Sequence, residues 1–268
     1  MFIEPEAGTI EGEDGYDTVE WIAEQPWCNG RVGTMGASYD GWQQWQTAAQ
    51  RPSHLVCMCA CSIPPEMQEV DWPFGGGFKP ARRVKWLLTT IAPDLRRREG
   101  LPPPHTPAEA ADWWELEGAR LVEALPLAPA LERSLPTALK RVVTDWLMAK
   151  GEPRPWRLAE HWPQVSVPNL DVTGWFDHCN GTLAHLGGLQ THGATAAARE
   201  HSRCVIGPWG HSNAGSSSGT PPPAPASDVP VEFGPEAALS VDALHRRFFD
   251  WHLKGFQESN LATAPACR

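Results

Sequence analysis

Six residues, Gly36-Ala37-Ser38-Tyr39-Asp40-Gly41, constrain this chain more than any other stretch. They lie between a short apolar run, Val32 to Met35, and a helix-like run, Trp42 to Gln50. A serine between a strand and a helix, flanked by glycines, has the grammar of a nucleophile elbow. Such a turn strains the serine backbone and lifts its hydroxyl out of the sheet. Glycines are needed because strand and helix approach too closely for a Cβ. The spacing is G-x-S-x-x-G, one residue longer than the common G-x-S-x-G.

Two later segments supply partners. In VPNLDVTGWFD, Val167 to Thr173 reads as a buried strand, with Asp177 just past its carboxyl end. In CVIGPWGH, Cys204 to Ile206 reads as another, ended by Gly207 and Pro208, with His211 on the loop beyond. Open α/β sheets gather ligands and reacting groups outside the carboxyl ends of their strands. Serine, then acid, then histidine is the chain order of the α/β-hydrolase triad. Of the rival acids, Asp40 lies in the elbow itself and Asp171 within a strand. Asp177 is therefore the better orienter for a loop histidine.

These segments resemble the acyl hydrolases of the cocaine esterase and X-prolyl dipeptidyl aminopeptidase group. EGEDGYDTVEWIAEQPWCNGRVGTMGASYDGWQQWQTA (Glu11 to Ala48) is similar to that family's run through its nucleophile, including the G-x-S-Y-x-G variant. VPNLDVTGWFD is similar to its acid segment, VIGPWGHS to its histidine segment, and RRFFDWHLKG to the helix closing its catalytic domain. The resemblance implies an α/β-hydrolase with Ser38 as nucleophile, Asp177 as orienting acid and His211 as general base. Ser38 is a poor nucleophile until His211 takes its proton. Asp177 holds the useful tautomer and stabilises the imidazolium. The backbone N–H of Tyr39 is one implied oxyanion donor; in the family a second is a tyrosine hydroxyl from a loop well before the nucleophile.

The chain departs from that pattern. It has two tyrosines, Tyr16 and Tyr39, and neither matches the second donor. Losing one such donor typically costs roughly 10²–10³ in rate. Only 37 residues precede Ser38, room for one helix and one strand. The expected fold is thus an incomplete α/β-hydrolase parallel sheet, missing N-terminal strands, with an open edge on the nucleophile strand. The family also carries a β-rich jelly-roll domain after its catalytic domain, where this sequence has only a polar tail at 256–268. A fragment truncated at both ends is the expectation.

Composition sets outer limits. A net charge of −10 argues against a nucleic-acid surface. No apolar run approaches the ~18 residues needed to span a membrane. The acidic N-terminus lacks signal-peptide grammar, so the cytoplasm is the default address. Seven cysteines without scaffold spacing read as free thiols. Cys57, Cys59 and Cys61 alternate on one strand, which cannot wrap a tetrahedral metal alone. His178 and Cys179 read as the start of a helix after the acid loop. No metal or cofactor is expected.

The segment 1–63 reads as the nucleophile part of the core, 64–162 as a helical lid insertion, and 163–268 as the acid and histidine part. Helices are expected at 14–27, 39–50, 82–92, 107–125, 135–150, 180–192 and 235–255. Loops are expected at 71–80 and 216–230. Among fourteen tryptophans, Trp175 and Trp209 neighbour the acid and the histidine and are candidate pocket walls. The expected activity is serine-dependent hydrolysis of a small-molecule ester or amide, with esters favoured because amides demand more of the acid and the oxyanion hole. X-prolyl dipeptidyl peptidase chemistry, a catalytically impaired fragment and an aromatic binding module are the alternatives.

Overall fold

In the computed structural model, residues 7–66, 69, 84–140, 143, 157–211, 237–256 and 261–267 are described. The expected loops at 71–80 and 216–230 and much of the expected helix at 135–150 lie outside them. In chain order the main elements are α1 (Ala7–Ala23), β1 (Val32–Ala37), α2 (Tyr39–Ala49), β2 (Leu55–Cys61), α3 (Ala92–Arg98), α4 (Pro107–Leu116), α5 (Leu127–Ser134), β3 (Leu170–Phe176), α6 (Cys179–His192), α7 (Ala196–His201), β4 (Arg203–Gly210) and α8 (Val241–Lys254). Two compact units result: Met1–Met67 with Pro155–Arg268, and Gln68–Arg154.

The first unit is an α/β assembly. β1 pairs with β2, and β3 with β4, both in parallel. β2 and β3 also run parallel, joined by a bridge between Met58 and Asn169. The four strands therefore point their carboxyl ends to one rim, in the order β1-β2-β3-β4. On the other side of β1 no strand is paired among the described residues.

The join between β2 and β3 has one backbone bond, from the Met58 N–H to the Pro168 carbonyl at 3.0 Å, and continues through side chains. Asn169 Oδ1 accepts from the Ala60 N–H at 2.8 Å, and its amide donates back to the Ala60 carbonyl at 3.3 Å. Asp171 Oδ1 accepts from the Ser62 N–H at 3.0 Å. The Ser62 hydroxyl donates to the Val172 carbonyl at 3.1 Å. Buried backbone polar groups must find partners, and Asn169, just before β3, and Asp171, within it, provide them.

Helices cover both faces, as a parallel sheet requires. On one face Met58 and Ala60 of β2 pack with Val19 of α1 and with Trp42 and Trp45 of α2. On the other, Cys57, Cys59 and Cys61 pack with Leu170, Val172 and with Val241, Leu244 and Phe248 of α8. Burial pushes the Cys57 thiol up to about 12 and those of Cys59 and Cys61 well above their usual value. These are neutral core side chains.

Several boundaries differ from the sequence reading: β3 runs to Phe176 rather than Thr173, β4 continues through Gly207 and Pro208 to Gly210, α4 stops at Leu116 and α8 starts at Val241. α1 starts by Ala7 rather than near Asp14. Its glycines lower helix propensity, which hides the first turns, but they serve packing against α2. A Cβ at Gly12 would stand 2.9 Å from the Gln46 carbonyl oxygen, and one at Gly15 would stand 1.9 Å from Thr47 Oγ1. The expected lid ran to residue 162, yet 157–164 belongs with the first unit. There the Glu66 carboxylate accepts from the Leu158 and Ala159 N–H groups at 3.0 and 3.3 Å, and Leu158 is buried under α2. The tail read as polar docks on β4: the Cys204 N–H donates to the Ala266 carbonyl at 2.7 Å, and Leu261 is buried.

The second unit is helical throughout its described part. A π-helical turn at Leu87–Ile91 leads into α3, and α4 is capped by Thr106, whose hydroxyl accepts from the Glu109 N–H at 3.3 Å. Glu109 reaches back past the cap to accept from the His105 N–H at 2.8 Å, a close relative of the capping box. Arg97 and Arg98 pair with Asp94 on the solvent face of α3. α5 lies between the helices expected at 107–125 and 135–150, with Ala130 and Leu131 buried. Among the described residues no helix is long and apolar enough to cross a membrane.

Candidate active site

Ser38 stands between the last residue of β1 and the first of α2, with φ 61° and ψ −125°. Positive φ is costly for a residue with a side chain and persists only where the surroundings impose it. Here the Ser38 N–H donates to the Cys61 carbonyl at 3.0 Å, and the Trp42 N–H donates to the Ser38 carbonyl at 3.0 Å. The flanking glycines are sterically required. A Cβ on Gly36 would come 2.7 Å from Asp40 Cβ, and one on Gly41 would come 2.8 Å from the Cys61 carbonyl oxygen. Gln44 staples the turn, donating to the carbonyls of Gly36 and Asp40 at 3.3 and 3.0 Å. Tyr39 opens α2, so its N–H lies in the first turn, where the helix supplies no acceptor. Its hydroxyl donates to Glu11 of α1 in a short bond that ties the elbow to that helix.

Asp177 and His211 meet at the same rim. Asp177 follows β3 in a tight turn, its N–H donating to the Gly174 carbonyl at 3.0 Å. His211 follows β4. Its Nδ1 is 2.8 and 2.9 Å from the two carboxylate oxygens of Asp177. The acid side chain is 1% exposed and the imidazole 38%. An ionised carboxylate only accepts, so it places the ring proton on Nδ1 and leaves the Nε2 lone pair outward. No hydrogen bond joins Ser38 Oγ to His211 among the described residues. Uncomplexed sites commonly keep this contact long.

His178 stands beside this pair. As expected it only precedes the helix, at the N-cap of α6, with Cys179 the first helical residue. Its ring, however, is buried against the acid. Nε2 lies 3.7 Å from Asp177 Oδ1, and the ring meets His211 edge-on at 5.6 Å. Adjacency to the acid was the available sequence signal, and it does not reveal which way a ring turns.

Asp171 is buried within β3, and burial raises its carboxyl to about 7, with the Asp177 charge a smaller contribution. It serves the strand join. Trp175 and Trp209 line a cavity of about 630 Å³ with Phe176, Leu239, Leu244 and Leu261. Ser38, Asp177 and His211 do not line that cavity. Trp209 is 2% exposed and its indole N–H donates to the Ala237 carbonyl at 2.9 Å, so it anchors the connection into α8.

Parallel strands covered on both faces, with a strained serine at a strand-to-helix turn, define the α/β-hydrolase fold. Within that fold the chain belongs to the X-Pro dipeptidyl-peptidase (S15) family, whose model matches residues 2–213. It is 29% identical over 276 aligned residues to the cocaine esterase of Rhodococcus sp. (strain MB1 Bresler), covering 95% of this chain and 42% of that protein. An aminopeptidase from a marine sediment Thaumarchaeota archaeon superposes with a TM-score of 0.59 at 19% identity, over 96% of this chain and 39% of its own. An α-amino acid ester hydrolase superposes with a TM-score of 0.53 at 18% identity, over 96% and 40%. At such identities the structural matches bear on the fold alone. The chain spans less than half the length of these relatives.

Proposed function

We propose that this chain is a serine-dependent acyl hydrolase that cleaves a small-molecule ester or amide through an acyl-enzyme intermediate. The observation that carries this reading is the Asp177–His211 pair, bonded through Nδ1 at the same strand rim that presents Ser38. In this reading Nε2 of His211 accepts the Ser38 proton as the hydroxyl attacks the acyl carbon. Asp177 keeps the attacking tautomer and steadies the imidazolium. The Tyr39 N–H donates to the oxyanion, and the leaving group takes its proton from His211. Water then repeats the sequence to release the acid. Esters are the favoured substrates, in keeping with the name of the cocaine esterase relative, and the cytoplasm is the proposed site of action.

A second reading, a slowed enzyme, is favoured by one observation. Neither tyrosine of the chain lies on a loop before the nucleophile: Tyr16 is within α1, and Tyr39, in α2, donates to Glu11. An oxyanion hole with one donor fewer lowers the rate by roughly 10²–10³.

A fluorophosphonate probe tests the proposal. Folded wild-type protein should be labelled on the peptide containing Ser38, Ser38→Ala should not be, and His211→Gln should react at least about 10³-fold more slowly. Folded wild type that stays unlabelled, or equal labelling of Ser38→Ala, would refute it.

A further inference from the structure

We propose that Asp177, His178 and His211 bind a divalent transition-metal ion of the zinc class, and that the bound ion disables His211 as a base. Each residue offers one ligand atom, and the three atoms lie within 4.8 Å of one another. On a tetrahedral zinc with bonds near 2.0–2.2 Å, ligand atoms stand about 3.3–3.6 Å apart. The distances from Asp177 Oδ1, 2.8 Å to His211 Nδ1 and 3.7 Å to His178 Nε2, fall on either side of that value. Small side-chain rotations complete the set, and water fills the fourth position.

The two imidazoles lie almost perpendicular, at 83°, and reach one carboxylate from different directions, as two rings sharing an ion do. Imidazole with carboxylate suits zinc, cobalt and nickel rather than magnesium or calcium. The positive end of α6 opposes a cation here. The carboxylate of Asp177, 2.8 Å from one ring nitrogen and 3.7 Å from the other, opposes that effect. Exposure of the His211 ring provides the way in.

The consequence for His211 follows from its tautomers. Before binding, the ring proton is on Nδ1, directed at Asp177. An ion on Nδ1 needs that lone pair, so the proton moves through water to Nε2. An Nε2–H donates but cannot accept, and Ser38 keeps its proton. Binding stands on geometry alone; loss of the base rests on the proposed roles of Ser38 and His211.

Cobalt(II) titration of the full chain, followed by zinc competition, tests the site. One cobalt per chain should bind with the visible absorption of a four-coordinate nitrogen and oxygen site, and zinc should displace it. His178→Gln and His211→Gln, each checked for native circular dichroism, should each weaken cobalt binding at least about 100-fold. The His211 variant keeps the question open to test should the buried His178 change unfold the protein. A thiolate charge-transfer band would assign the metal to cysteines and overturn the site. So would absence of binding below millimolar cobalt, or unchanged affinity in the folded variants. Saturating zinc should slow fluorophosphonate labelling of Ser38 more than about 10-fold, with a chelator restoring it, because the accepting nitrogen is lost. Labelling untouched by bound zinc overturns the loss of the base. A wild type that never labels instead fails the acyl-hydrolase reading and leaves the binding result standing.

Discussion

Replacing Asp171 with asparagine should make the protein more stable at pH 8 than at pH 5 relative to wild type. The Asp171 carboxyl is buried, with Oδ1 accepting from the Ser62 N–H at 3.0 Å and the Thr182 hydroxyl as a further polar neighbour. Burial is the main cause that raises it from 3.8 to about 7, with the charge of Asp177 a lesser one. The thiols of Cys59 and Cys61 beside it stay neutral. A raised folded-state value means that the native chain holds its proton where the unfolded chain has lost it. Stability therefore falls as pH rises from about 4 to about 7, then levels off. Between pH 5 and pH 8 these values correspond to a loss of about 2–3 kcal/mol from this one group. The asparagine amide would be neutral throughout and would keep an oxygen for the Ser62 N–H, so it would match the protonated acid and escape the loss. In thermal unfolding followed by circular dichroism, the advantage of Asp171→Asn should grow by about 5–10 °C across that range. A difference that stays constant or shrinks with rising pH would refute the buried, proton-holding role.

Gly41→Ala should destabilise by about 1–2 kcal/mol, because overpacking against β2 exceeds the gain in helix propensity. Gly187→Ala in α6, whose new Cβ meets nothing within 4 Å, should stabilise by about 0.5–1 kcal/mol; urea titrations giving both variants the same sign would contradict the packing at the elbow. Asn169→Ala should cost about 1–3 kcal/mol in the same titrations, since it leaves the buried Ala60 N–H without its acceptor. Burial lowers His185 to about 4, so wild type should lose stability as pH falls from about 6.5 to 4. His185→Gln should flatten that acid limb, and an unchanged limb would show that the ring titrates freely.

The elbow was legible because its causes are local. Gly36, Ser38 and Gly41 encode a turn in which each glycine answers a contact a few residues away or in the next strand. β3 and β4 were legible as strands, but not their ends: the first runs to Phe176 rather than Thr173 and the second continues through Gly207 and Pro208 to Gly210, because the pairing between them extends that far. The start of α1 was not, because Gly12 and Gly15 read as helix breakers until α2 is seen pressing on them. The first unit's claim on residues 157–164 was hidden too, since it depends on Glu66, which lies more than ninety residues earlier.

Asp171 and His178 mark the same division. Along the chain, one is an acid in a strand and the other a histidine after an acid. Distance and burial give them their properties. The β2–β3 join removes Asp171 from water, and the turn after β3 lays the His178 ring against Asp177. The order of residues by itself determined which strands form and which chemical groups come after them, because those rules act over a few peptide units. Only the tertiary structure decided which groups meet, which are desolvated and which share a proton, because those depend on packing between segments far apart in sequence.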